Sequence, residues 1–205
     1  MIRITPTETI GLQMAQLGYI SGRKGIARFV LPVTRYLRAV NVERYIESRE
    51  RLLDIGCGDG YFIRRSKCTE RYGLDKRTGD KVTDSLDFPD NHFDYVTMLA
   101  VIEHIVDPMA LLKEIHRVLK PGGRLVFTTP KKQAEILIRL YAKNIDEEHE
   151  TYYDLDRIRG LASNIYDIQG HHTFIFGLNQ CFCLVKKQAV EQTPAGDGLK
   201  VAPEE

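Results

Sequence analysis

Leu52-Leu53-Asp54-Ile55-Gly56-Cys57-Gly58-Asp59-Gly60 decides how this chain folds. An apolar run with the pattern of a buried strand stops at Asp54, and glycines follow at 56, 58 and 60, where a helix is due to start. Glycine at these places allows positive φ and lets a ligand approach where a Cβ would clash. The helix beyond would point free N–H groups and its positive dipole end into the crevice. Strand, glycine turn and helix in this order are how an α/β sheet holds a nucleotide-like ligand.

The spacing separates two kinds of ligand. A dinucleotide site wants Gly-x-Gly-x-x-Gly, with the third glycine permitting close helix–strand packing. Tyr61 stands at that third place, and the last glycine comes one residue early, at Gly60. A pyrophosphate needs a cradle of amides, whereas Gly-x-Gly-x-Gly suits a smaller group such as an amino-acid moiety. Asp75 closes the next predicted strand, 70–75, roughly twenty residues on. A carboxylate there accepts both hydroxyls of a ribose, which supports an adenosine ligand without choosing between cofactors.

Working outward, residues 7–20 and 26–48 carry apolar positions at helical spacing, with Pro32 interrupting the second stretch. Residues 1–48 therefore read as a helical N-terminal cap. Strands are predicted at 51–56, 70–75, 81–84 and 93–99, and a helix at 60–67. A helix over 107–119 starts at Asp107-Pro108, an N-cap followed by proline in the first turn. Pro121-Gly122-Gly123 ends that unit, and a strand follows at 124–129. Helices at 132–143 and 154–164 and strands near 165–170 and 180–186 complete a doubly wound, mostly parallel α/β domain over 49–187. Only five residues separate Asp75 from Lys81, yet a parallel crossover takes a dozen or more, so the crossover there is reduced. The tail 188–205 is rich in Pro, Gly, Ala and Glu and is expected to be disordered.

Composition narrows the class. A chain of 205 residues suits one substantial core, burying about 70% of its unfolded surface. Basic and acidic residues number 29 and 28, so no nucleic-acid partner is expected. No apolar stretch reaches the length that spans a bilayer, and Met1-Ile2-Arg3-Ile4-Thr5-Pro6 lacks a signal pattern. The cytoplasm is the expected compartment. Cys57, Cys68, Cys181 and Cys183 do not make a disulfide framework, and Cys181-x-Cys183 on a strand offers only two ligands, too few for a metal.

Five landmarks occur in order: Leu52 to Gly60, Asp75, the stretch from Asp84 to Val96, Glu103-His104, and Arg117-Val118-Leu119-Lys120-Pro121-Gly122-Gly123. Together they resemble a class I S-adenosylmethionine-dependent methyltransferase, close to the ubiquinone/menaquinone-biosynthesis type, over residues 50 to 130. The resemblance implies a Rossmann-like sheet whose last strand, 180–186, is antiparallel. It also implies S-adenosylmethionine as cofactor. Asp54, Gly56, Cys57 and Gly58 would surround its methionine end, Asp75 and Lys76 its ribose, and Asp84, Ser85 and Leu86 its adenine. Leu99 and Ala100 would lie beside the transferred methyl.

His titrates near neutrality, so His104 is the candidate base for a hydroxyl acceptor. Quinone-pathway relatives complete a metal set with a glutamate where this chain has Ala100, so no metal is expected. His149 and Tyr152 are candidates for the acceptor pocket, which would take a small molecule or a lipid-like compound. Arg23, Lys24, Arg28, Arg35 and Arg38 alternate with apolar residues and no acidic ones, a pattern also suited to a membrane surface. Two other classes stay open: a methyltransferase-like binding subunit without catalysis, and a nicotinamide-dependent oxidoreductase, which Tyr61 disfavours.

Overall fold

Strand pairing across distant parts of the chain builds a seven-stranded sheet. The computed structural model describes residues 2–4, 27–48, 51–75, 85–134 and 151–188. In chain order these form β1 (Ile2–Ile4), α1 (Ala27–Glu43), β2 (Arg51–Ile55), α2 (Tyr61–Arg65) and β3 (Glu70–Leu74). Then come β4 (Phe93–Leu99), a single 3₁₀ turn (Ile102–His104), α3 (Pro108–Val118), β5 (Leu119–Pro130), α4 (Leu155–Ala162), β6 (Tyr166–Phe174) and β7 (Asn179–Lys186). The strand order is β1-β3-β2-β4-β5-β7-β6. β3, β2, β4 and β5 run parallel, whereas β1 on β3, and β7 between β5 and β6, are antiparallel.

Alternation of side chains sends each strand's residues to two faces, and both are covered. On one face Leu53, Ile55, Val96, Met98, Leu125, Phe127, Phe182 and Leu184 pack against Leu111, Leu112 and Ile115 of α3 and Ile158 and Ala162 of α4. On the other, Leu52, Tyr95, Val126, Cys181 and Cys183 meet Ala39 and Val42 of α1 and Phe62 of α2. Each fully buried aliphatic or aromatic side chain contributes about 1.5–3 kcal/mol. Two tyrosine tips inside this core have partners: the Tyr95 hydroxyl accepts from the Glu47 amide at 3.0 Å, and the Tyr166 hydroxyl donates to the Leu112 carbonyl at 3.0 Å. Asp107 caps α3 as the sequence predicts, accepting from the Ala110 amide at 3.0 Å, with Pro108 in the first turn.

Three local expectations are corrected. α1 runs straight through Pro32, because the helix is held by packing of Ala39 and Val42 and loses only one backbone bond to the ring. Pro121-Gly122-Gly123 does not end an element but lies inside β5, where the register with β4 shifts between Phe93–Leu119 and Tyr95–Arg124. Ile2–Ile4, at the head of the expected helical cap, is a strand on the edge of β3. The predicted helix at 7–20, the strand at 81–84 and the tail from 189 lie outside the described residues.

Candidate functional site

β3 and β4 flank β2 on opposite sides, so the strand order reverses there, and it is at the carboxyl ends of the strands around such a reversal that sheets of this kind bind ligands. The glycine turn sits there. Gly56 has φ of 73°, and a Cβ on it would stand 2.3 Å from Cγ2 of Val101, just beyond the end of β4. Only glycine fits, and the fit locks the turn after β2 against the turn after β4. Ala100 holds φ of 58°, and its amide donates to the Thr128 carbonyl at 2.9 Å, swinging the chain from β4 into the 3₁₀ turn.

Four amides of the turn, at 56, 57, 58 and 60, are bonded within the chain. The amides of Gly56 and Cys57 both donate to the Leu74 carbonyl, at 2.7 and 3.1 Å, and that of Gly60 donates to the Cys57 carbonyl at 2.9 Å. Gly58 donates its amide to Oδ2 of Asp75 at 2.7 Å, and Tyr61 donates to Oδ1 of Asp59 at 3.2 Å. The helix behind, α2, is only five residues long. A pyrophosphate here would meet satisfied amides and buried carboxylates. The crevice instead suits a ligand with cationic and hydroxyl groups.

Asp54, one of those carboxylates, has a strongly perturbed pKa. Its Oδ1 accepts from the Thr97 hydroxyl at 2.7 Å, across the β2–β4 register pair that sets Asp54 opposite Thr97. Full burial pushes its pKa up to about 7; the Thr97 bond and the positive charge of Arg35 oppose that rise, and the charge of Asp75 adds to it. Asp75, also buried, lies at the end of β3. Arg35 reaches across from α1 to pair with Asp59 and lies 4.3 Å over the Tyr61 ring. Arg64 donates to the Asp59 carbonyl at 2.6 Å. The N-terminal helix is thereby clasped to the glycine turn.

Of the sequence candidates, Asp54, Gly56, Cys57, Gly58, Asp75, Leu99 and Ala100 gather at the ends of β2, β3 and β4. Leu86 is buried and Ser85 exposed, in the segment leading to β4. Glu103 and His104 part company: Glu103 is buried and His104 exposed, as residues on opposite sides of one turn. Tyr152 is half-buried, next to Tyr153, whose carbonyl accepts from the Gln180 side chain. Lys76, Asp84 and His149 lie outside the described residues. Thr97 was not foreseen as a site residue, and Arg35 was read only as one of the basic residues of the N-terminal arm, not as a partner of the glycine turn. A threonine in the mostly apolar run Phe93 to Leu99 was the available signal for the first, and five basic residues without an acidic one for the second.

Strand order and the covered sheet together define a Rossmann-like, mostly parallel α/β domain. The model of the methyltransferase-domain family matches residues 27–165. The ubiquinone/menaquinone biosynthesis C-methyltransferase UbiE of Shewanella sp. (strain W3-18-1) is 44% identical over 59 residues, which are 28% of this chain and only 24% of that enzyme's length. A SAM dependent methyltransferase from Aquifex aeolicus shares the fold with a TM-score of 0.56 at 16% identity, over 83% of this chain and 98% of its own. Phosphoethanolamine N-methyltransferase 2 of Haemonchus contortus, solved in complex with S-adenosyl-L-methionine, has a TM-score of 0.56 at 18% identity, over 75% of this chain and 53% of its own. The chain belongs to the methyltransferase-domain family.

Proposed function

We propose that this protein binds S-adenosylmethionine at the carboxyl ends of β2, β3 and β4 and transfers its methyl group to an oxygen of a small-molecule or lipid-like acceptor. One observation carries the reading: Asp54 and Asp75 are buried on either side of a glycine turn whose amides at 56, 57, 58 and 60 are already bonded within the chain. That arrangement suits an aminoacyl sulfonium nucleoside, which has an ammonium, a sulfonium and ribose hydroxyls but no phosphate.

The cofactor supplies a methyl group already activated on sulfur, so positioning and exclusion of water do most of the work. In this reading Asp54 faces the ammonium of the aminoacyl end, with Gly56, Cys57 and Gly58 lining it. Asp75 and Lys76 take the ribose hydroxyls, while Asp84, Ser85 and Leu86 flank the adenine. Leu99 and Ala100 border the transferred methyl. His104, exposed at the turn beyond β4, takes the proton of the acceptor hydroxyl, and His149 and Tyr152 line the acceptor pocket.

A lipid-like acceptor is supported by Val30, Leu31, Val33 and Tyr36 of α1, large apolar residues left exposed. Their helix belongs to the segment 1–48, which caps the acceptor side and rests on a membrane surface in this reading. Among the described residues no helix is long and apolar enough to cross a membrane, and we place the protein in the cytoplasm.

The test is calorimetry with S-adenosylhomocysteine on the wild type and on Asp75→Ala. Binding by the wild type and weakening in the folded variant are expected. Absence of heat with the wild type at high concentration overturns the cofactor assignment, and equal affinity removes Asp75 from the site.

A further inference from the structure

We infer that Glu114 and Arg117 of α3, which lie outside the glycine turn and its carboxylates, are positioning residues for the wall against which the adenine rests. This deepens the cofactor reading above and rests on it. The segment 85–91 belongs to no strand or helix, so nothing in a ladder holds its backbone. Besides backbone bonds from the Phe88 amide to the Leu86 carbonyl and from the Asn91 amide to the Arg117 carbonyl, two side chains from one helix hold it. The Leu86 amide donates to Oε2 of Glu114 at 3.0 Å, and the Leu86 carbonyl accepts from Nη2 of Arg117 at 2.8 Å. Nη1 of Arg117 also donates to the Phe88 carbonyl at 2.8 Å and to the Asp90 carboxylate at 2.7 Å.

The two holders are themselves locked together. Arg117 donates to Glu114 through Nε at 3.1 Å and through Nη2 at 2.9 Å. These bonds hold the Glu114 carboxyl below its ordinary pKa range and raise that of Arg117, so both stay charged throughout the physiological range. The planar fork of a guanidinium spans all these acceptors at once, which an ammonium cannot do.

Packing completes the wall. Leu86 is 2% exposed although it lies outside regular structure. Phe88 packs edge-on against Phe93 at 4.8 Å and Tyr72 at 5.7 Å between ring centroids, anchoring the far end of the segment to β4 and β3. Both backbone groups of Leu86 are thus set from the side of α3, leaving its neighbour Ser85 exposed. The geometry sets where an adenine edge can lie without either holder touching it.

The experiment compares the wild type with Arg117→Ala, Arg117→Lys and Glu114→Gln. Affinity is read by calorimetry for S-adenosylhomocysteine and for 5′-methylthioadenosine, which keeps the adenine and lacks the aminoacyl end. Amide exchange is read at Leu86 and Phe88. Arg117→Ala is expected to weaken both ligands by a similar factor, about tenfold to a hundredfold, since several charge-assisted bonds to the segment are lost. It is also expected to speed exchange at both amides. Arg117→Lys should recover only part of the loss. If Arg117→Ala does not fold, Arg117→Lys and Glu114→Gln are expected to show smaller losses of the same kind, several-fold on both ligands. Unchanged affinities in the folded variants, or a loss confined to S-adenosylhomocysteine, overturn the inference. A wild type that binds neither ligand overturns the cofactor reading itself, while faster exchange in the variants would still report the tie.

Discussion

Thr97 and Asp54 face each other across the β2–β4 pair, and the hydroxyl of one donates to the buried carboxylate of the other at 2.7 Å. This bond, with Arg35 behind it, keeps a fully buried acid within reach of ionisation near neutral pH. A site meant to meet a cationic ligand end needs that property. An acid that stayed protonated would give up its attraction for an ammonium, whereas one fully solvated would gain little from it.

Cofactor affinity should therefore depend on pH through Asp54. With a folded-state pKa of about 7, most of Asp54 is protonated at pH 6 and most is ionised at pH 8. Affinity for S-adenosylhomocysteine is expected to rise by about tenfold across that interval, with close to one proton released at pH 6. Titrations in two buffers of different ionisation heat measure the release directly. Asp54→Asn should bind weakly with a flat profile; a wild-type profile equally flat would remove Asp54 from the binding step. Stability of the ligand-free protein runs the other way. A carboxyl whose folded pKa is raised binds protons more tightly than in the unfolded chain, so stability falls as pH climbs from about 4 to about 7.

Thr97→Val keeps the shape of the side chain and removes the donor. At pH 8 it leaves an ionised buried carboxylate short of one bond, at a cost of about 1–3 kcal/mol. At pH 5, with Asp54 neutral, the cost is expected to be smaller. Urea denaturation at the two pH values checks this, and an equal cost at both would show that the hydroxyl matters only for packing.

Gly56→Ala meets two obstacles, a φ of 73° and the Val101 methyl at 2.3 Å. Strain of roughly 1–2 kcal/mol from the left-handed backbone adds to about 1–3 kcal/mol of overpacking. Loss of S-adenosylhomocysteine binding and a lower urea midpoint are expected. Adding Val101→Ala should return the packing share and not the backbone share. Full recovery in the double variant would mean the backbone costs nothing there.

Much of this architecture was legible from local rules. Phe93–Leu99 reads as a doubly buried strand because its apolar run is unbroken enough to need cover on both faces, and the structure has the same bounds. Asp107 and Pro108 announce a helix start by chemistry that acts within one turn. Where the reading failed, a distant contact outweighed a local preference. Packing of Ala39 and Val42 carries α1 past Pro32, and pairs with β4 at Leu119 and Arg124, on either side of Pro121-Gly122-Gly123, carry β5 through that stretch. Ile2–Ile4 is too short to show a period, so its place beside β3 is invisible without the partner strand.

The order of residues around Gly56, Gly58, Gly60 and Asp75 was sufficient by itself to name the kind of sheet, because glycine and acid positions answer to backbone geometry a few bonds away. Only the folded chain decided which amides of the turn are taken, that Thr97 meets Asp54, that Arg35 clasps Asp59, and that Arg117 holds Leu86. Each of those contacts joins residues set side by side by strand register or helix docking, and register is a property of the whole sheet that no short stretch of sequence contains.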